Sequence, residues 1–175
     1  MGEIIMKGNI IKMLMVFVGL AFMAASLAVR AVESGPSLAH LTKFVGKYPS
    51  GYADDPSGKP VKKDGILDDR AFRQVLSQIL GKDRFSIVIN KYDVETPVEQ
   101  KGQILYFMKA KPHNAGNQHA IIYINLSDNS VEACWVNEDD KNYWLSSKRK
   151  PVLIERNLAS KGMDDIALFE KYGNK

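Results

Sequence analysis

The chain has 175 residues, 45% of them hydrophobic and 25% charged, the balance of an ordinary globular domain rather than a disordered one. Thirteen Gly and seven Pro exclude a collagen-like or linker-dominated chain, and a single Cys excludes an intrachain disulfide framework and a Cys-rich zinc module. The net charge is +4, with 20 acidic residues interspersed among 24 basic ones, so no nucleic-acid-coating tail is present and no nucleic-acid partner is expected.

Lys7 and Lys12 precede an uncharged apolar run from Met13 to Val29 that ends in small residues. That is the three-part pattern of a secretory signal peptide. Ser26-Leu27-Ala28 and Val29-Arg30-Ala31 both fit the small-x-small cleavage rule. Residues 1–28 are therefore expected to be removed, with a cut after Ala31 as the alternative, leaving residues 32–175 as one exported domain. The other reading of the run is an uncleaved anchor, since it reaches the short end of a spanning helix, roughly 17–25 residues. The expectation here is a periplasmic protein with no stable membrane anchor after processing.

Leu38, Leu41, Phe44, Val45 and Tyr48 mark one face of a short helix over Ser37–Tyr48, with Ser37 at its N-cap. Residues 49–65 carry Pro49, Gly51, Pro56, Gly58, Pro60 and Gly65 among Lys and Asp, the composition of a surface loop. Asp68 and Asp69 then open the clearest helix. Phe72, Val75, Leu76, Ile79 and Leu80 share one face, and Gly81 closes it as a C′ glycine.

From Arg84 the pattern changes to strands: Phe85–Ile89, Gln103–Lys109, His119–Asn125, Val131–Val136, Tyr143–Leu145 and Pro151–Ile154. The segments 103–109 and 119–125 are apolar on both faces, which suits central strands. Short links imply an antiparallel meander. Met163 to Tyr172 reads as a C-terminal helix. The expected class is α+β, a single domain with an antiparallel β-sheet meander and flanking α-helices.

The search for chemistry returns no P-loop, no Gly-x-Ser-x-Gly elbow and no Gly-x-Gly-x-x-Gly. His113 and His119 lack the two further ligands that zinc needs, so neither a metal nor a cofactor is expected. The adjacent carboxylate pairs belong to turns and helix starts, and Lys148-Arg149-Lys150 reads as a solvated turn. Cys134 lies in an apolar strand and reads as a small buried hydrophobe. No enzyme is indicated.

One segment departs from the pattern. Ala110-Lys111-Pro112-His113-Asn114-Ala115-Gly116-Asn117-Gln118 is polar and lies between two strongly apolar strands. A tip from Lys111 to Gln118 is longer than a tight hairpin needs, and such loops often carry function. Residues 110–116, the strand Ala120-Ile121-Ile122-Tyr123 behind them, the upstream amphipathic helix and the leader together resemble the inhibitor of vertebrate lysozyme (Ivy) family. That family's hallmark reads Cys-Lys-Pro-His-Asp-Cys-Gly before an apolar strand.

The resemblance implies a periplasmic protein whose protruding loop plugs the cleft of a lysozyme or related peptidoglycan hydrolase. Lys111, Pro112, His113, Asn114, Ala115 and Gly116 would form that loop, with His113 meeting the enzyme's carboxylates. It also leaves a homodimer open. The chain departs from the hallmark at both cysteines, which are Ala110 and Ala115, and at Asn114 in place of Asp. No disulfide then clamps the loop. Two other classes share the export signal: an immunity protein against a peptidoglycan-targeting toxin, and a cell-wall sugar-binding module using Trp135, Tyr143 and Trp144 as a stacking platform.

Overall fold

The computed structural model describes residues 37–54, 56–138, 141–154 and 165–173, all within one unit spanning residues 35–175. The expected signal peptide, Asp139, Asp140 and Met163 lie outside the described residues. The order begins with a 3-10 helix, Ala39–Phe44, followed by β1 (Tyr52–Asp54), β2 (Pro60–Lys62) and a second 3-10 turn, Ile66–Asp68. Helix α1 (Arg70–Asn90) leads into β3 (Val94–Glu95), β4 (Glu99–Lys101), β5 (Ile104–Ala110), β6 (Gln118–Asn125), β7 (Ser130–Asn137), β8 (Tyr143–Ser146) and β9 (Val152–Leu153). Helix α2 (Asp165–Tyr172) closes the order.

Among the described residues, β5 to β9 form an antiparallel meander in sequence order, with β3 and β4 both pairing β5 at its other edge. The sheet is apolar on both faces because both are covered. One face carries Leu105, Phe107, Ile122, Ile124, Ala133 and Trp135 against Phe72, Leu76, Leu80 and Val88 of α1. The opposite face packs Ile121, Tyr123, Cys134 and Trp144 with Leu168 and Phe169 of α2. The α+β class read from the sequence is the one observed.

The first helix is a 3-10 segment, with Leu38, Leu41 and Phe44 buried. Their spacing of three matches the three residues per turn of that helix. Val45 and Tyr48, assigned to the same face, are exposed. Ser37 Oγ accepts from the Ala39 N–H, but Leu38 holds the cap position.

Residues 49–65 hold the β1–β2 hairpin rather than a plain loop. Its base closes backbone against backbone. A Cβ on Gly51, whose φ is +77°, would stand 1.8 Å from the Lys63 carbonyl oxygen, and one on Gly65 would stand 2.3 Å from that of Pro49. The strands are three residues long and β2 is exposed throughout, so no alternating apolar pattern announced them.

Asp69 caps α1 by accepting from the Phe72 N–H at 3.0 Å. Gly81 takes φ 73° and breaks the helix where a C′ glycine is expected. The chain then resumes helix, so Phe85–Ile89 is not a strand. Helix propensities of β-branched residues differ from Ala by only about 0.7 kcal/mol at most. Full burial of Val88 contributes about 1.5–3 kcal/mol, and the core decides. The Arg73 guanidinium lies 5.3 Å from the Phe85 ring, tying the two halves of the kinked helix.

Candidate functional site

The β5–β6 pair runs in unbroken antiparallel register from Ile104↔Asn125 to Ala110↔His119. The link beyond it, residues 111–117, is one residue shorter than expected, because Gln118 already belongs to β6. It is folded into successive turns. The Lys111 N–H donates to the Gln118 carbonyl at 3.0 Å, the Asn114 N–H to Lys111 at 3.1 Å, and the Gln118 N–H back to Asn114 at 2.9 Å.

Within these turns the side chains divide. Lys111, His113 and Gly116 are exposed, whereas Pro112, Asn114 and Ala115 are half-buried. His113 has φ 60°, the left-handed region that costs an L-residue roughly 1–2 kcal/mol. Gly116 has neither a positive φ nor any atom within 4 Å of a Cβ built on it. Nothing inside the fold demands glycine there, and its surface is free for a close neighbour.

Polar side chains fix the underside of the loop. Asn117 Nδ2 donates to Asn114 Oδ1 at 3.2 Å. Asn114 Nδ2 and Gln118 Nε2 both donate to Glu138 Oε1, and the Glu138 N–H donates to the Asn117 carbonyl at 3.0 Å. Behind them His119 is buried, and its Nδ1 lies 2.8 Å from the Ala115 carbonyl, an acceptor, so Nδ1 carries the proton. Burial holds the His119 pKa below its ordinary value against the opposing pull of that hydrogen bond. Thus His113 is displayed and His119 is structural, and the pair is not brought together as ligands. Among the described residues no three His, Cys, Asp or Glu gather as a metal site requires.

Residues 71–161, just over half of the chain, match the family model of the inhibitor of vertebrate lysozyme (Ivy). The chain belongs to the Ivy family. Neither the curated proteins nor the solved structures give a match. The Ivy match spans α1 from its second residue, β3 to β9 and the whole of the loop. Ala115 is half-buried and Ala110 is fully buried at the base of the loop. Side-chain hydrogen bonds among Asn114, Asn117, Gln118 and Glu138 hold the loop.

Sequence reasoning missed Glu138, Gln118 and Asn117 as holders of the loop. A signal existed in the turn after β6. Pairing Asn125 with Ser130 fixes the β6–β7 register, which sets Gln118 opposite Asn137 and hence the Asn117 carbonyl beside Glu138.

The other candidates resolve as structure. Trp135 and Trp144 are buried and Tyr143 is half-buried, so they form no open stacking platform. Trp144 stacks on Tyr123 and Tyr172. Cys134 is buried, and burial pushes its thiol up to about 12, far from a reactive thiolate. Lys148 is solvated beside Asp128, but Arg149 turns inward onto Glu132 at 3.2 Å and onto the Tyr172 carbonyl. The Lys148–Lys150 run is therefore only partly a solvated turn.

Proposed function

We propose that this protein is an exported, periplasmic inhibitor of a lysozyme or related peptidoglycan-degrading enzyme, acting through residues 111–116. The observation that carries the reading is His113. It is an exposed imidazole at the loop tip, kept in a left-handed backbone conformation by an ordered set of turns. Strain of that kind in an L-residue is retained where surrounding structure determines it, and it concentrates at functional sites. Membership of the Ivy family supplies the class of partner.

In this reading the loop enters a concave cleft lined by two carboxylates. The His113 ring donates to them, more strongly when protonated, because charge-assisted hydrogen bonds are about twice as strong as neutral ones. Lys111 adds a cation at the rim, and bare Gly116 admits the cleft wall. The target loses activity by occlusion, and this chain performs no chemistry. Residues 1–28 direct export.

Purified protein is to be assayed against chicken-, goose- and invertebrate-type lysozymes and bacterial muramidases. At least one should be inhibited. His113→Ala should abolish that inhibition while unfolding free energy changes by no more than ~0.5 kcal/mol, the usual range for a surface side chain. Undiminished inhibition by the variant would sink the plug.

A further inference from the structure

We infer that Glu138 is the positioning residue of the loop: from the end of β7 it holds residues 114–118 in the shape that presents His113. The functional consequence rests on the reading above, whereas the clamp itself is a property of the free protein. Glu138 sits one residue beyond β7, on a backbone fixed by the β6–β7 ladder. Its N–H donates to the Asn117 carbonyl, and its Oε1 accepts from both Asn114 Nδ2 and Gln118 Nε2. Two points of the loop and the first residue of β6 are thus tied to one residue just past β7.

Asn114 is the critical link. Its Nδ2 donates to Glu138 and its Oδ1 accepts from Asn117, so the side-chain amide is used at both ends. Its backbone N–H and carbonyl close the turns on either side. Immobilising Asn114 fixes the peptide that follows His113, the residue with the unfavourable φ of 60°. Without an external hold, His113 relaxes toward negative φ and the imidazole loses its aim. A carboxylate is suited to this task because one oxygen can accept two N–H donors, and charge strengthens both bonds. Asp in place of Asn114 would set a second carboxylate against Glu138 and offer it no donor. Asn114 and Glu138 therefore act as a matched pair.

The test compares Glu138→Ala with Glu138→Gln in the full chain. A glutamine oxygen still accepts from Asn114 and Gln118, so the clamp predicts rescue by this neutral variant. In the free protein, amide hydrogen exchange at Asn117 and Gln118 should accelerate about tenfold in Glu138→Ala, and less than about threefold in Glu138→Gln. Against an enzyme that the parent inhibits, Glu138→Ala should weaken inhibition about tenfold and Glu138→Gln less than about threefold, because only the first adds ordering entropy to binding. Unchanged exchange in Glu138→Ala overturns the clamp. Equal loss of inhibition in both variants also overturns it, since the carboxylate charge would then be touching the enzyme directly. If the parent inhibits nothing, the proposed function fails, and the exchange measurement alone still decides the clamp.

Discussion

Two glutamates on or beside β7 organise two corners of the molecule in opposite ways. Glu132 is buried and accepts from Trp144 Nε1, from Ser146 Oγ at 3.0 Å and from the Arg149 guanidinium at 3.2 Å. Arg149 extends this network to the Tyr172 carbonyl at the end of α2. Burial pushes the Glu132 carboxyl above its ordinary range, against the opposing pull of those three partners. Glu138, six positions along, is exposed and gathers a comparable number of bonds around a loop. Hydrogen-bond counts alone do not separate the two. Solvent does: a buried network must be complete or it penalises the fold, while an exposed one shapes a segment at little consequence for global stability.

The largest break in that comparison is Glu132→Ala. It leaves the buried indole N–H of Trp144 without its acceptor and strips the half-buried Arg149 guanidinium of its carboxylate, with the Tyr172 carbonyl remaining. The expected loss is about 3–5 kcal/mol, read from urea unfolding. Glu138→Ala should stay within ~0.5 kcal/mol in the same assay. Similar losses for both would show that the exposed network is structural after all.

A second break replaces the polar hold by a covalent one. Ala110→Cys with Ala115→Cys, oxidised, closes a loop of about six residues, for which chain entropy gives about 2 kcal/mol. Cys134, buried and with its thiol near 12, should not compete for pairing. If loop order limits inhibition, the oxidised form should bind more tightly than the reduced form and should tolerate Glu138→Ala. Equal inhibition by the two forms would mean that the hydrogen bonds already suffice.

His119 sharpens the comparison through pH. Burial lowers its folded-state pKa, so the unfolded chain takes up the proton first. Its contribution to stability is therefore full above the unfolded value of about 6.5, and is lost as pH falls below it through the folded value. Urea midpoints should drop from pH 7.5 to pH 5.5, about one unit either side of that value. His119→Asn keeps an N–H for the Ala115 carbonyl without a titrating ring, and should flatten that part of the profile. An identical slope in the variant would assign the pH dependence to other groups.

How much of this was legible beforehand differs by region. The strands of the meander were readable because Ile121, Tyr123 and Cys134 alternate with Ala120, Ile122 and Ala133, and both sets are apolar. Phe85–Ile89 was misread because its β-branched residues favour strands locally, whereas burial of Val88 against the sheet favours helix, a tertiary effect with no local trace. The exposed β1–β2 hairpin carried no periodic signal at all. At the site, Lys111 to Gly116 were visible as a motif. Their support by Glu138 depended on a β6–β7 register that brings together residues 20 or more positions apart, which no local pattern in the loop encodes.

The smallest effect tests the tip itself. His113→Gly and His113→Ala both delete the imidazole and differ in their tolerance of φ 60°. Glycine adopts that region freely, whereas alanine carries the full Cβ conflict. His113→Gly should therefore be about 1 kcal/mol more stable than His113→Ala, after allowing for the greater freedom of glycine in the unfolded chain. Equal stabilities would mean that the loop relaxes away from the left-handed conformation once the ring is gone, and that the side chain, rather than Glu138, was holding it. Inhibition should be lost in both variants, because the reading assigns the contact to the ring. If His113→Gly inhibits as the parent does, loop shape alone fills the cleft and the imidazole contact is wrong. Stability then reports what holds the tip, and inhibition reports what the tip is for.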